Sequence, residues 1–259
     1  MRTCPVCDGS MVDAFSAKVL GRYDARYLHC PGCGFLQAAD PVWLDEAYES
    51  AISAADTGIV QRNLQMSLRL GGLYAGWFGS TGRYADISGG SGMLVRLLRD
   101  LGFDAYWRDP YAENQFARGF EAERHESYSA VSAIEVLEHV ESPVEFLKDC
   151  FETTGAKAVV FTTELYVGAP PMRDWWYYQF ETGQHISFME RRTLEMVAQR
   201  LRCKLLSRRH FHALLAVDLP KAPFYMAATI AAPLQLALRH RHLASLTDAD
   251  SEVVKRWMS

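Results

Sequence analysis

The stretch Asp86-Ile87-Ser88-Gly89-Gly90-Ser91-Gly92 decides how this chain is read. It follows Tyr84–Ile87, an apolar run that suits a buried strand, and precedes Met93–Leu101, whose apolar residues recur at helical spacing. A strand, a glycine turn and a helix in that order bring backbone N–H groups close to a ligand and present it to the positive end of the helix. Gly90 and Gly92 allow the close approach. The third glycine of a dinucleotide fingerprint would fall at Val95, so the packing of a nicotinamide site is not encoded. Asp86, at the strand end, can meet a cation such as an amino group and would repel a pyrophosphate. Asp109 ends the next strand, about twenty residues after the loop, where a carboxylate can accept from both ribose hydroxyls. Together these features favour a nucleoside that carries an amino acid.

Outward from the loop, short apolar runs alternate with helical ones: Asp104–Trp107, Val131–Ile134, helix Pro143–Phe151, Ala158–Thr162 and helix Arg192–Leu201. That alternation predicts a mainly parallel α/β sheet with helices on its faces. Lys204–Arg209 and Phe211–Val217 nearly adjoin, too close for a parallel crossover, and predict a C-terminal antiparallel hairpin. Ahead of this body, Val42 to about Tyr74 has helical composition, and Gly71-Gly72 with Gly79 to Gly82 mark the entry to a new unit. The expected division is a cysteine ribbon over 1–39, a helical bridge over 40–80, a ligand-binding domain over 81–219 and a helical tail over 220–259.

The ribbon carries four of the six cysteines, as Cys4-Pro-Val-Cys7 and Cys30-Pro-Gly-Cys33. Two residues between cysteines let both thiolates point inward from one tight turn, and two such turns complete a tetrahedral site. Cys4, Cys7, Cys30 and Cys33 are therefore expected to bind a structural zinc, since four cysteines leave no open position for catalysis. The intervening hairpin is too small to hold a core, so the metal would contribute its folding energy. Cys150 and Cys203, in apolar surroundings, read as core thiols.

The chain has 259 residues, 27 Lys and Arg against 31 Asp and Glu, and a net charge of −4, so charge gives no reason to expect a nucleic-acid partner. The amino terminus shows no apolar stretch of the signal-peptide kind, so a reducing cytoplasm is the expected setting. Phe224 to Leu238, about fifteen residues interrupted by Pro233, falls short of a membrane span. It reads as a buried or partner-facing helix, with a peripheral membrane contact through 224–242 as the alternative.

On Asp86 to Gly92, Asp109 and the run Ala133-Ile134-Glu135-Val136-Leu137-Glu138-His139-Val140, the sequence resembles the class I S-adenosylmethionine-dependent methyltransferases. The cysteine ribbon, Trp175-Trp176-Tyr177-Tyr178 and Gly183-Gln184-His185-Ile186-Ser187-Phe188 look like a bacterial branch associated with glycan and secondary-metabolite clusters. The resemblance implies a Rossmann-like, seven-stranded sheet with S-adenosylmethionine held by Asp86, Ser88, Gly90, Gly92, Asp109, Pro110 and Glu135. It implies methylation of a small-molecule or glycan acceptor, on oxygen first and on carbon or nitrogen as alternatives. A non-catalytic ribbon scaffold and an RNA methyltransferase are the rivals. Departures from the family pattern are Ser88 for the first loop glycine, Ser129 for the usual Asp, and a link from Asp109 to Val131 too short for a helix plus a third strand. Phe120 and Glu121 are the guess for the adenine-side wall.

Three readings of the E-x-x-E-H string remain open. Glu138-His139 can start a helix, with the acid near its positive end. His139 or His185, with Glu135 nearby, can serve as general base or orienter for an acceptor hydroxyl. Glu135, Glu138, His139 and His185 can bind a divalent cation such as Mg²⁺ or Mn²⁺ that grips the acceptor oxygens. The aromatics Trp175 to Tyr178, with Phe180, either stack on substrate or plug an insertion onto the body.

Overall fold

The computed structural model describes residues 2–49, 57–79, 81–229 and 244–258. Strands are β1 Val12–Val19, β2 Tyr23–His29, β3 Leu36–Ala38, β4 Arg83–Ile87, β5 Asp104–Arg108, β6 Ala130–Ala133, β7 Ala158–Thr162, β8 Leu165–Tyr166, β9 Ser187–Glu190, β10 Lys204–Arg208 and β11 Phe211–Leu215. Helices are α1 Leu44–Ala47, α2 Ile59–Phe78, α3 Met93–Asp100, α4 Pro143–Thr154, α5 Arg191–Arg200, α6 Lys221–Ala227 and, last among the described residues, α7 Thr247–Met258. Expected and observed elements agree closely for β4 to β7, β10, β11 and the helices α3, α4 and α5 between them. The strands β8 and β9 carry no turn punctuation and too few residues to show a period, and the sequence did not reveal them.

The larger sheet has the order β10-β11-β7-β6-β4-β5, with β4 parallel to both β5 and β6. It has six strands where seven were expected. The missing strand is reduced to one bridge, Trp107 to Glu121, on the outer side of β5. Trp107 donates to the Phe120 carbonyl at 2.7 Å and accepts from Ala122 at 2.7 Å, so 120–122 runs beside β5 for a single ladder step. The short link between Asp109 and Val131 is the cause. Neighbouring strands β10 and β11 are joined by Arg209 and His210 alone, a connection open only to an antiparallel pair.

The chain divides into two compact units, one of Met1–Ser53, Glu135–Asp149 and Phe161–Leu214, the other of Ala54–Ile134, Cys150–Val160 and Leu215–Ser259. In the second, α2 packs on α3 and α6. Its buried side chains Met66, Leu70, Leu73, Tyr74 and Trp77 fall on one helical face, and Tyr74 stacks on Tyr84 at 4.0 Å. Gly71 and Gly72 lie buried inside α2 and do not break it, because burial of that face outweighs their weak helix propensity. Arg99, 5% exposed, is bridged by Asp250 of α7 through Nε and Nη2 at 2.8 and 2.9 Å, which fixes the described tail within this unit.

In the first unit the ribbon is not a lone hairpin. The antiparallel run β1, β2 and β3 continues through β9 and β8 into a five-stranded sheet. Its core joins Tyr27, Leu36, Trp43, Tyr166, Tyr177, Tyr178, Ile186 and Phe188. Tyr177 and Tyr178 are therefore packing residues, and Trp176, 67% exposed, is the one member of the aromatic run that faces solvent. No described helix is long and apolar enough to cross a membrane. Of the segment 224–242, Phe224 is buried in α6 and residues 230–243 lie outside the described ones.

Candidate functional site

The glycine loop leaves β4 through a left-handed Ser88, φ +58°, and enters α3 through Gly92, φ +83°. Ser88 is the position where glycine would cost nothing, and the fold holds serine there by a bond from its N–H to the Arg108 carbonyl at 2.8 Å. Gly90, φ +54°, is gripped at both backbone groups. Its N–H donates to Asp109 Oδ2 at 2.9 Å, and its carbonyl accepts from the Trp107 indole at 2.9 Å. Among the described residues, nothing lies within 4 Å of where a Gly90 side chain would be.

The other loop glycines are needed by the protein itself. A side chain on Gly89 would sit 2.8 Å from Asp86 Oδ2 and Trp107, and one on Gly92 would meet Asn114 Oδ1 at 2.9 Å and Ala117 at 3.1 Å. The segment after Pro110 folds back onto this turn, with Gln115 and Phe116 both donating to the Ser91 carbonyl at 3.0 Å. The space where a Gly92 side chain would stand is filled by 114–117, so glycine is required there by packing.

Asp109 does more locally than its position suggested. Besides Gly90 it accepts from the N–H groups of Tyr111 and Ala112 at 2.8 and 3.0 Å, which uses three of its roughly four acceptor sites and leaves about one outward. Pro110 and Tyr111 are exposed beside it, whereas Phe120 is buried with the Arg99 guanidinium 3.7 Å over its ring. Asp86 is 3% exposed and accepts from the Ser132 hydroxyl at 2.6 Å. Burial raises its carboxyl to about 7; the Ser132 bond pulls it down, and the Asp109 charge adds to the rise.

In the first unit the four ribbon cysteines converge, with every sulfur within 4.8 Å of the others. Cys4 to Cys33 is 3.6 Å and Cys7 to Cys30 is 3.4 Å. Thiolates at ~2.3 Å from a tetrahedral zinc stand ~3.8 Å apart, so the group fits that ion. Gly34 takes φ +75° behind the second pair, and its N–H returns to the Cys30 carbonyl at 2.8 Å. Of the other two cysteines, Cys150 is buried and Cys203 half-buried.

The same unit holds Glu138, His139 and His185, with a donor atom of each within 4.8 Å of the others. Glu138 and His139 form a one-turn 3₁₀ segment, and His185 precedes β9. Two bonds hold these stretches together: Ile186 N–H to the Glu138 carbonyl at 2.8 Å, and His139 Nδ1 to the Gln184 carbonyl at 3.0 Å. His139 Nδ1 also lies 2.9 Å from the Tyr48 hydroxyl, and His185 Nδ1 lies 2.7 Å from the Tyr177 carbonyl. A carbonyl only accepts, so both rings carry their hydrogen on Nδ1 and a lone pair on Nε2.

Burial lowers both imidazoles, His139 to about 4 and His185 to about 3, with the His139 ring adding to the second shift. Burial, and then the Glu135 charge, push the Glu138 carboxyl well above the carboxylate range. Among the described residues neither Glu138 oxygen has a hydrogen-bond partner at bonding distance, and the Tyr177 and Thr163 hydroxyls that face it oppose the rise. Glu135 stands apart from this group. It takes φ +55°, its N–H donates to Thr162 Oγ1 at 2.8 Å, and its Oε1 accepts from the same hydroxyl at 2.5 Å.

A family model described as a methyltransferase domain matches residues 60–207, more than half of the chain. No curated protein matches it significantly. Among solved structures it is similar to TnmH, with 19% identity, 67% of this chain and 60% of that one covered, and a TM-score of 0.46. For the mitomycin 7-O-methyltransferase MmcR the values are 13%, 66%, 59% and 0.42, and for the plantazolicin methyltransferase BpumL with SAH 10%, 74%, 89% and 0.44. The chain thus spans 60% of the length of TnmH.

Proposed function

Because this chain belongs to the methyltransferase domain family, we propose that it transfers a methyl group from S-adenosylmethionine to an oxygen of a small hydroxylated molecule, such as a sugar, glycan or secondary-metabolite intermediate. The observation that carries this reading is Gly90, fixed at both backbone groups yet bordered by open space where a side chain would stand. A ligand can approach that backbone closely.

Asp86 would meet the ammonium of the methionine part, the backbone of Ser88 and Gly90 would line it, and Asp109 with Pro110 would take the ribose side. Gly92, at the entry to α3, would complete that lining. When bound, S-adenosylmethionine supplies an electrophilic methyl on a sulfonium, which the acceptor displaces in line. The protein's work is to align the acceptor, exclude water and receive one proton from the hydroxyl. Glu135, His139 and His185 are the groups proposed for the acceptor side. Both imidazoles offer an unprotonated Nε2, suited to taking a proton or a metal ion.

The four ribbon cysteines are proposed to hold a structural zinc, which fits a reducing, cytoplasmic setting. Calorimetry on the intact chain tests the cofactor reading, with S-adenosylhomocysteine expected to bind one per chain. Absence of binding by it and by S-adenosylmethionine would favour the non-catalytic scaffold. Product NMR with a labelled methyl distinguishes oxygen from carbon or nitrogen as acceptor.

A further inference from the structure

One buried group of side chains is left incomplete by the protein itself. We infer that Glu138, His139 and His185 form a binding site for one divalent transition-metal ion, through the Glu138 carboxylate and Nε2 of both imidazoles, with Glu135 outside the ligand set. The carboxylate is the first reason. Glu138 is fully buried, and among the described residues neither oxygen has a hydrogen-bond partner. A buried polar group that its own fold leaves unsatisfied calls for an ion or another partner.

The imidazoles are the second reason. Each spends Nδ1–H on a backbone carbonyl, His139 on Gln184 and His185 on Tyr177, which leaves Nε2 of each ring without a hydrogen and with a lone pair to donate. Ligating histidines carry this outer bond, because it fixes the tautomer and the ring direction. Geometry is the third. One donor atom of each residue stands within 4.8 Å of the others, and donors ~2.1 Å from one ion stand ~3–3.5 Å apart, so the three side chains are within a small adjustment of a common ion. The Ile186 to Glu138 backbone bond already holds the two segments in register.

The structure changes the sequence reading of this group in two respects. Glu135 is occupied by Thr162 at both its N–H and its carboxylate, so three ligands replace four. Two imidazole nitrogens and one carboxylate suit Zn²⁺, Fe²⁺, Co²⁺ or Mn²⁺, whereas Mg²⁺ takes oxygen donors almost exclusively. Three protein ligands leave coordination positions open to an acceptor oxygen, where the ion would lower the hydroxyl pKa. That last use rests on the proposed O-methylation; the metal site does not.

The test is Mn²⁺ titrated into the intact, zinc-loaded chain and followed by the loss of the free-ion EPR signal, since Mn²⁺ competes poorly for thiolates. Saturation at one ion per chain is expected. Glu138→Gln and His185→Asn should each weaken binding at least ~tenfold, and Glu135→Gln by less than ~threefold. Absence of saturable Mn²⁺ and Co²⁺ binding beyond the cysteine site would overturn the proposal. So would full affinity in the Glu138 and His185 variants, or an equal loss in Glu135→Gln. If those variants fail to fold, paramagnetic broadening of the His139 and His185 ring signals in the parent protein decides, and unbroadened signals reject the site. Intact Mn²⁺ binding with no methyl transfer to any hydroxylated acceptor would count against the O-methylation reading alone.

Discussion

The glycine loop and the Glu138–His139–His185 group are finished in opposite ways. Around the loop the protein satisfies its own polar atoms: Asp109 accepts three backbone N–H groups, Gly90 is bonded at both ends, and Asp86 holds the Ser132 hydroxyl. In the Glu–His group the outer nitrogens are satisfied and the inward carboxylate is not. A ligand meets the loop as a finished backbone surface. The Glu–His group has its donors aligned and waits for a charge, and its burial makes that charge costly to omit.

The largest way to break this contrast is Asp109→Ala, which removes the bond to Gly90 in the loop, those to Tyr111 and Ala112 beside it, and the proposed ribose acceptor. Cofactor affinity should fall at least ~tenfold by calorimetry, a loss of ~1.4 kcal/mol or more. Unchanged affinity would sink the assignment of the loop to the cofactor.

Asp86 sharpens the contrast through pH. Its carboxyl is raised to about 7 by burial, so the folded chain keeps a proton there that the unfolded chain releases between about 4 and 7. The associated stability is present below that window and is lost as pH rises through it. Binding of an ammonium needs the ionised form, so cofactor affinity should rise about tenfold from pH 6 to pH 8 and level off above. Asp86→Asn should flatten the profile; a profile unaltered by that change would locate the titration elsewhere.

On the other side, Glu138→Gln replaces an unsatisfied buried acid by a neutral amide. In chelator-treated protein it should raise stability at pH 8 by about 1 kcal/mol, read as a shift of a few degrees in thermal unfolding. Loss of stability would mean that Glu138 already has a satisfying partner. The smallest effect is expected of Ser88→Gly. Relief of a left-handed non-glycine residue is offset in part by glycine's unfolded-state entropy, leaving a gain of about 0.5 kcal/mol with the fold unchanged.

Legibility in the sequence followed locality. Asp86 to Gly92, the C-x-x-C pairs and the strands β4 to β7, β10 and β11 each depend on residues near one another, so composition and spacing exposed them. The strand β9, the role of Gly92 under Asn114, and the burial of Tyr177 and Tyr178 depend on partners far along the chain. No local pattern encodes them.

By itself the sequence determined the α/β alternation, the glycine loop with its two acidic residues, and a four-cysteine cluster, because turn conformation and short spacing set those features directly. Tertiary structure alone decided which groups meet. It brought His185 to His139 through the register that places Ile186 on Glu138, bonded Glu135 to Thr162, and shrank the third strand to a single bridge. The physical reason is the same in each case: a buried polar atom must find a partner, and which partner is within reach is fixed by packing that joins residues distant in sequence.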